Sequence, residues 1–163
     1  MIVIRQALDP NSIESIRALF TEYQESLGVD LSFQNFENEL LTLPGDYAPP
    51  GGTLLIAEDN RAAAGCAALR PLFGGNCEMK RLYVRPQYRS SGVGRQLAER
   101  LIEEALGLNY ERIYLDTLPM MTGAQKLYER LGFQDVQAYR PNPIAGSRFM
   151  CLTLNTNAPR RNS

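Results

Sequence analysis

The sequence has no histidine and no tryptophan in 163 residues, and its three cysteines, Cys66, Cys77 and Cys151, form no Cys-x-x-Cys pair. The missing histidine excludes Ser-His-Asp and Cys-His nucleophile systems and His-ligated zinc. Acid–base chemistry is left to carboxylates, Tyr, Lys, Cys, a terminal amine or water. An odd number of scattered cysteines indicates neither a disulfide framework nor a zinc knuckle, so no metal site is expected and the thiols read as small buried hydrophobes in a reducing compartment. No apolar run approaches the ~20 residues of a membrane span. The N-terminus, MIVIRQALDP, carries Arg5 and Asp9 and lacks the apolar core of a signal peptide, which points to the cytoplasm. Charge of one sign is also missing: 17 Lys and Arg against 18 Asp and Glu leave a formal net charge of −1. Such a chain is a poor non-specific binder of nucleic acid or anionic membrane, and neither is expected as a partner.

What is present reads as one ordinary domain. Residues 2–7 are β-rich. Asp9-Pro10-Asn11-Ser12 opens a helix whose Ile13, Ile16, Phe20, Tyr23 and Leu27 recur every three or four positions, ending at Gly28. A second helix from Ser32 carries Phe33, Phe36, Leu40 and Leu41 and closes at Pro44-Gly45. Strands are expected at residues 53–58, 62–72 and 77–84, separated by the turns Asp59-Asn60 and Phe73-Gly74-Gly75-Asn76. There follow a helix at 91–106, a strand at 111–116, a helix at 120–131, an irregular strand from Phe133 and a last strand at 148–154. The order β-α-α-β-β-β-α-β-α-β-β, with hairpins first and helical connections later, implies a mixed α/β (α+β) fold: a single domain over residues 1–155, built on a central mixed sheet flanked by helices. The polar residues 156–163 read as a disordered tail.

The most informative stretch is residues 78–94, where a strand runs into a tight turn that opens a long helix. Arg89-Ser90-Ser91-Gly92-Val93-Gly94 places glycines and small hydroxyl residues at the helix's first turn, whose free amides and positive dipole end suit a pyrophosphate. Gly92 and Gly94 let a ligand approach the backbone, and Arg89 and Arg95 add charge. Taken alone, a glycine pair of this kind also serves as a turn for helix–strand packing.

The segment resembles motif A of the GNAT superfamily of acyl-CoA-dependent N-acyltransferases, whose pattern [RQ]-x-x-G-x-[GA] is matched by residues 89–94 after Leu82-Tyr83-Val84-Arg85-Pro86. Ala124-Gln125-Lys126-Leu127-Tyr128-Glu129-Arg130-Leu131-Gly132-Phe133 is similar to motif B of that family, and the element order over residues 2–154 agrees. The resemblance implies an acetyl-CoA-dependent N-acetyltransferase in which an amine attacks the thioester directly. It implies that acetyl-CoA lies on the backbone of Leu82, Tyr83 and Val84 and on the loop Arg89, Ser90, Ser91, Gly92, Val93, Gly94 and Arg95. It implies Tyr128 as the acid that protonates the departing thiolate, where helical spacing alone equally allows core packing. It offers Glu78, eleven residues before Arg89, as the base, with a water chain or bulk solvent as the family's alternative. Strand alternation puts Glu78 on one face with Lys80 and Leu82, so binding a positive substrate group, or pairing with Lys80 or Arg81, stays open. One departure stands out: the family often has Asn three residues before the Ala of motif B, and this chain has Met121 there.

The family builds its substrate pocket from the first helices and last strands. Here those parts offer Tyr23, Phe33, Phe36, Tyr47, Tyr139, Arg140 and Arg148, the two arginines either gripping a carboxylate of a small amine or amino-acid-like substrate or standing as solvated surface charges. A protein or peptide amine shares every motif, and a non-catalytic acyl-CoA-binding module would keep motif A. Family members are often dimers, which makes a homodimer a candidate assembly.

Overall fold

The computed structural model describes residues 1–154, apart from the Phe33 side chain; the tail expected at 156–163 lies outside the described residues. Seven strands, β1 (Ile2–Gln6), β2 (Thr53–Asp59), β3 (Ala62–Pro71), β4 (Cys77–Val84), β5 (Arg112–Thr117), β6 (Gln134–Val136) and β7 (Arg148–Thr153), form one sheet in the order β1-β2-β3-β4-β5-β7-β6. Every neighbouring pair is antiparallel except β4 with β5. The helices are α1 (Pro10–Leu27), α2 (Phe36–Thr42), α3 (Val93–Gly107) and α4 (Thr122–Leu131).

Asp9 caps α1 by accepting from the Ser12 amide at 3.1 Å, Pro10 takes its first turn, and Gly28 ends it with φ 63°. Its buried stripe, Ile16, Leu19, Phe20 and Tyr23, packs with Phe36 of α2 against Leu54, Ile56, Cys66 and Ala68. On the other face Leu97, Leu101 and Ala105 of α3 and Tyr128 of α4 pack against Leu55, Leu69, Met79, Ile113 and Leu115. The central strands are therefore covered on both sides, which is why β2 and β3 read as near-continuous apolar runs.

Two local departures from regular geometry build the site. In β4, Cys66 faces Tyr83 but Ala68 faces Lys80, so Arg81 and Leu82 together oppose one residue of β3, and Arg81 takes φ 60°. This bulge corrects the expected alternation: Glu78 and Lys80 share a face, whereas Leu82 turns to the α3 side with Met79 and Val84. At the start of α3, Ser90 (φ 67°) and Gly92 (φ 85°) are left-handed, so the helix begins at Val93 rather than at 91.

Gly65 pairs with Val84 just past the bulge, and a Cβ there would lie 2.6 Å from the Tyr83 carbonyl oxygen. A Gly65→Val protein is expected to lose about 3 kcal/mol of stability through overpacking. Thermal unfolding would show this as a Tm lower by roughly 6–12 °C.

Candidate active site

β4 and β5 pair only at Cys77↔Ile113 and Glu78↔Tyr114 and then part. Beyond the parting, a cavity of about 500 Å³ opens beside the end of β4. Its walls are Leu82, Tyr83 and Val84 of β4, the loop from Tyr88 to Gly94, the start of α4, and the end of α1 at Tyr23, Ser26 and Leu27. At its far end stands the N-terminus of α3. The first helical bond there is Gln96 N–H to Gly92 O at 3.0 Å, and no side chain caps the turn, so the amides of Val93, Gly94 and Arg95 lack helical partners. Arg89 folds back over the Tyr83 ring (5.9 Å to its centroid) and its Nε donates to the Val84 carbonyl at 3.0 Å. Ser91 and Arg95, expected at the ligand, do not line the cavity: Ser91 Oγ donates to the Tyr88 carbonyl, and Arg95 pairs with Glu99 at 2.7 Å. An apolar channel leading to free helix amides fits a pantetheine arm joined to a pyrophosphate.

A second recess of about 20 Å³, room for roughly one water, adjoins the first and shares Tyr23, Leu82 and Met121 with it. Met121 thus lies where the two meet, in place of the amide common in the family. Tyr128 lines the recess, and its ring is held by Phe133 at 5.6 Å between centroids. Its hydroxyl makes no hydrogen bond among the described residues, and burial pushes the phenol's pKa up, so it stays protonated.

The recess also holds Gln34, Lys80, Arg81 and Asp116, none of which sequence reasoning singled out as site residues. The available signal was Lys80-Arg81 inside an otherwise apolar strand. Arg81 is 3% exposed and donates to both Glu39 oxygens, at 2.8 and 3.2 Å. Lys80 is 5% exposed, and burial, reinforced by the Arg81 charge, pulls its pKa down to about 8 against the pull of Glu78 and Asp116.

The residues expected to act on substrate are placed differently. Glu78 is fully buried and accepts from Arg70 Nε at 2.8 Å, from the Tyr139 hydroxyl at 2.5 Å and from Arg140. Burial alone would raise its pKa, but Lys80, Arg70, the Tyr139 hydroxyl and Arg140 together hold it below the usual range. Glu78 does not line the recess, and Tyr139 and Arg140 are spent on Glu78. Arg148 lies away from both cavities, pairing with Glu129 at 2.8 Å and Asp135 at 2.9 Å. A carboxylate grip by Arg140 or Arg148 therefore has no support in this geometry.

A model of the Acetyltransferase (GNAT) family matches residues 13–133. The chain belongs to the GNAT acetyltransferase family. An uncharacterized N-acetyltransferase of Schizosaccharomyces pombe is 38% identical over 148 residues, covering 90% of this chain and 91% of that one. A GNAT-family acetyltransferase structure from Staphylococcus aureus superposes with a TM-score of 0.79 at 22% identity, covering 95% of this chain and all of that one. An acetyltransferase from Salmonella typhimurium, solved with its cofactor acetyl-CoA, has a TM-score of 0.67 at 21% identity, covering 99% of each chain. These structural likenesses carry the mixed seven-stranded GNAT fold. Acetyl-CoA fits as the co-substrate of this GNAT enzyme.

Proposed function

We propose that this GNAT enzyme transfers the acetyl group of acetyl-CoA to the primary amine of a small molecule. The observation that carries the proposal is that the two cavities share the walls Tyr23, Leu82 and Met121, with free amides of α3 on one and a protonated, unbonded Tyr128 hydroxyl on the other. In this reading Leu82, Tyr83 and Val84 hold the pantetheine arm, and the Gly92 to Gly94 turn holds the pyrophosphate with Arg89 beside it. The substrate ammonium loses one proton to solvent. Its nitrogen forms the N–C bond, the C–S bond breaks, and the thiolate takes the Tyr128 proton. Tyr128 is restored from the protonated amide nitrogen, so one proton is released per turnover.

Two features favour this over the alternatives. The recess is small, about 20 Å³, and lined mostly by buried side chains, which favours a small amine. The free Tyr128 hydroxyl favours catalysis over acyl-CoA binding alone. The three free, buried cysteines fit a cytoplasmic location.

The direct test is thermal unfolding with acetyl-CoA, using adenosine monophosphate as control. At about 100 times its dissociation constant the ligand adds about 2.7 kcal/mol, a Tm rise of roughly 5–11 °C for a domain of this size. No shift at millimolar acetyl-CoA overturns the assignment.

A further inference from the structure

The charges of the small recess are not all paired within ion-pair reach. Arg81 has Glu39. Lys80 has no carboxylate within 4.0 Å among the described residues, although it is almost fully buried; its Nζ donates to the Gln34 amide oxygen at 3.1 Å. That same oxygen accepts from Arg81 Nη1 at 2.7 Å. One neutral acceptor thus serves two cations in the position a carboxylate would take. Asp116, at the end of β5, shows the opposite deficit. It lines the recess, has no cation within 4.0 Å among the described residues, and accepts only from Asn142 Nδ2 at 3.2 Å. A buried ammonium whose carboxylate neighbours, Glu78 and Asp116, stand beyond ion-pair reach is costly, and folding alone gives no reason to keep one. Hydrophobic replacement of such groups is often neutral or stabilising.

We propose that the acceptor is a zwitterionic amine, an amino acid or a short ω-amino acid, whose carboxylate displaces the Gln34 amide to bind Lys80 and whose ammonium is drawn to Asp116 beside Tyr128. This rests on the acetyltransferase reading above and gives that site its substrate class. The two opposite charges supply orientation: the carboxylate goes to Lys80 on β4 and the amine to Asp116 on β5, in the recess that Tyr128 also lines. The small free volume agrees, because Gln34 occupies the space and is held there by the two cations the substrate would take over. Gln34 belongs to a short 3-10 turn between α1 and α2, so its displacement requires no change in the sheet. The chemistry also explains why Arg140 and Arg148 are not needed for the carboxylate.

The test is thiol release from acetyl-CoA with matched pairs: glycine, L-alanine, L-phenylalanine, L-aspartate and β-alanine, each beside the analogue in which its α- or terminal carboxylate is a carboxamide. At least one acid should exceed its amide in kcat/KM by tenfold or more. In Lys80→Met, which keeps the side-chain volume, that ratio should collapse towards one, through KM rather than kcat. Asp116→Asn should raise KM for the acid and its amide alike, because it reads the amino group. Circular dichroism and Tm establish that both variants are folded. Equal use of acids and amides, an undiminished ratio in Lys80→Met, or no reaction with any acid overturns the proposal. Acetyl-CoA binding, followed separately by thermal shift, distinguishes the failures. A shift without discrimination removes the zwitterion alone, and no shift removes the acetyltransferase reading with it.

Discussion

Replacing Tyr128 by Phe is expected to lower kcat by about a hundredfold or more, the usual contribution of a positioned general acid, while leaving the affinity for acetyl-CoA nearly intact. The two parts of the expectation have separate structural causes. The hydroxyl faces the small recess and bonds to nothing among the described residues, so its removal leaves no orphaned partner. The ring's contact with Phe133 survives in the variant, and the larger cavity is not lined by Tyr128 at all. Steady-state thiol release and a thermal shift with acetyl-CoA read the two quantities separately. Because burial raises the phenol's pKa, the wild-type pH–rate profile should show no alkaline limb from Tyr128 up to about pH 10. A kcat within threefold of wild type would leave Tyr128 a packing residue, as its helical stripe alone allows.

The second large effect concerns Glu78, and it separates two roles for one carboxylate. Glu78→Gln removes the shared anion of Arg70 and Arg140, two guanidiniums less than a quarter exposed. Breaking a buried ion cluster at one partner costs about 3 kcal/mol, a Tm lower by roughly 6–12 °C at neutral pH. The folded-state pKa of Glu78 lies below its ordinary value of 4.5, so its pairing stabilises fully above that pH and is lost as pH falls through the lower, folded value. The stability gap between wild type and variant should therefore close on acidification from about pH 5. The expected kcat stays within about tenfold of wild type, because the carboxylate is enclosed and does not reach the recess. A general base would lose 10²- to 10⁴-fold with little change in Tm, and that result would reinstate Glu78 as the proton acceptor.

Much of the molecule was legible in its residues. The stripe of α1, the hairpins of β2 to β4 and the glycine turn before α3 each follow from local chemistry, and the structure has them within about two residues of their expected ends. Tyr128 lines the smaller recess, and the Gly92 to Gly94 turn lines the larger cavity. The failures share a cause, which is pairing over long sequence distances. Nothing near Arg148 in the chain announces Glu129 on α4, and nothing near Glu78 announces Tyr139 and Arg140 some sixty positions away. The bulge at Arg81 is likewise invisible to a strict two-residue alternation, yet it turns Leu82 to the α3 side while Lys80 stays on the face of Glu78. Asp116 closes β5 as an acid at the end of a strand, a position that becomes informative only once β4 is known to part from it.

The parting of β4 from β5 has a mechanical side. Two residue pairs are the only rungs between a wing of four strands and a wing of three, so this seam is the sheet's thinnest join. Cooperative opening begins where backbone pairing is sparsest. The empty enzyme should therefore breathe first along the line where it works, and a ligand lying in the gap would act as mortar between the wings. Catalytic readiness and structural looseness are here the same property of the same few peptide groups, and substitutions that stitch the seam shut would make the protein firmer and the enzyme poorer.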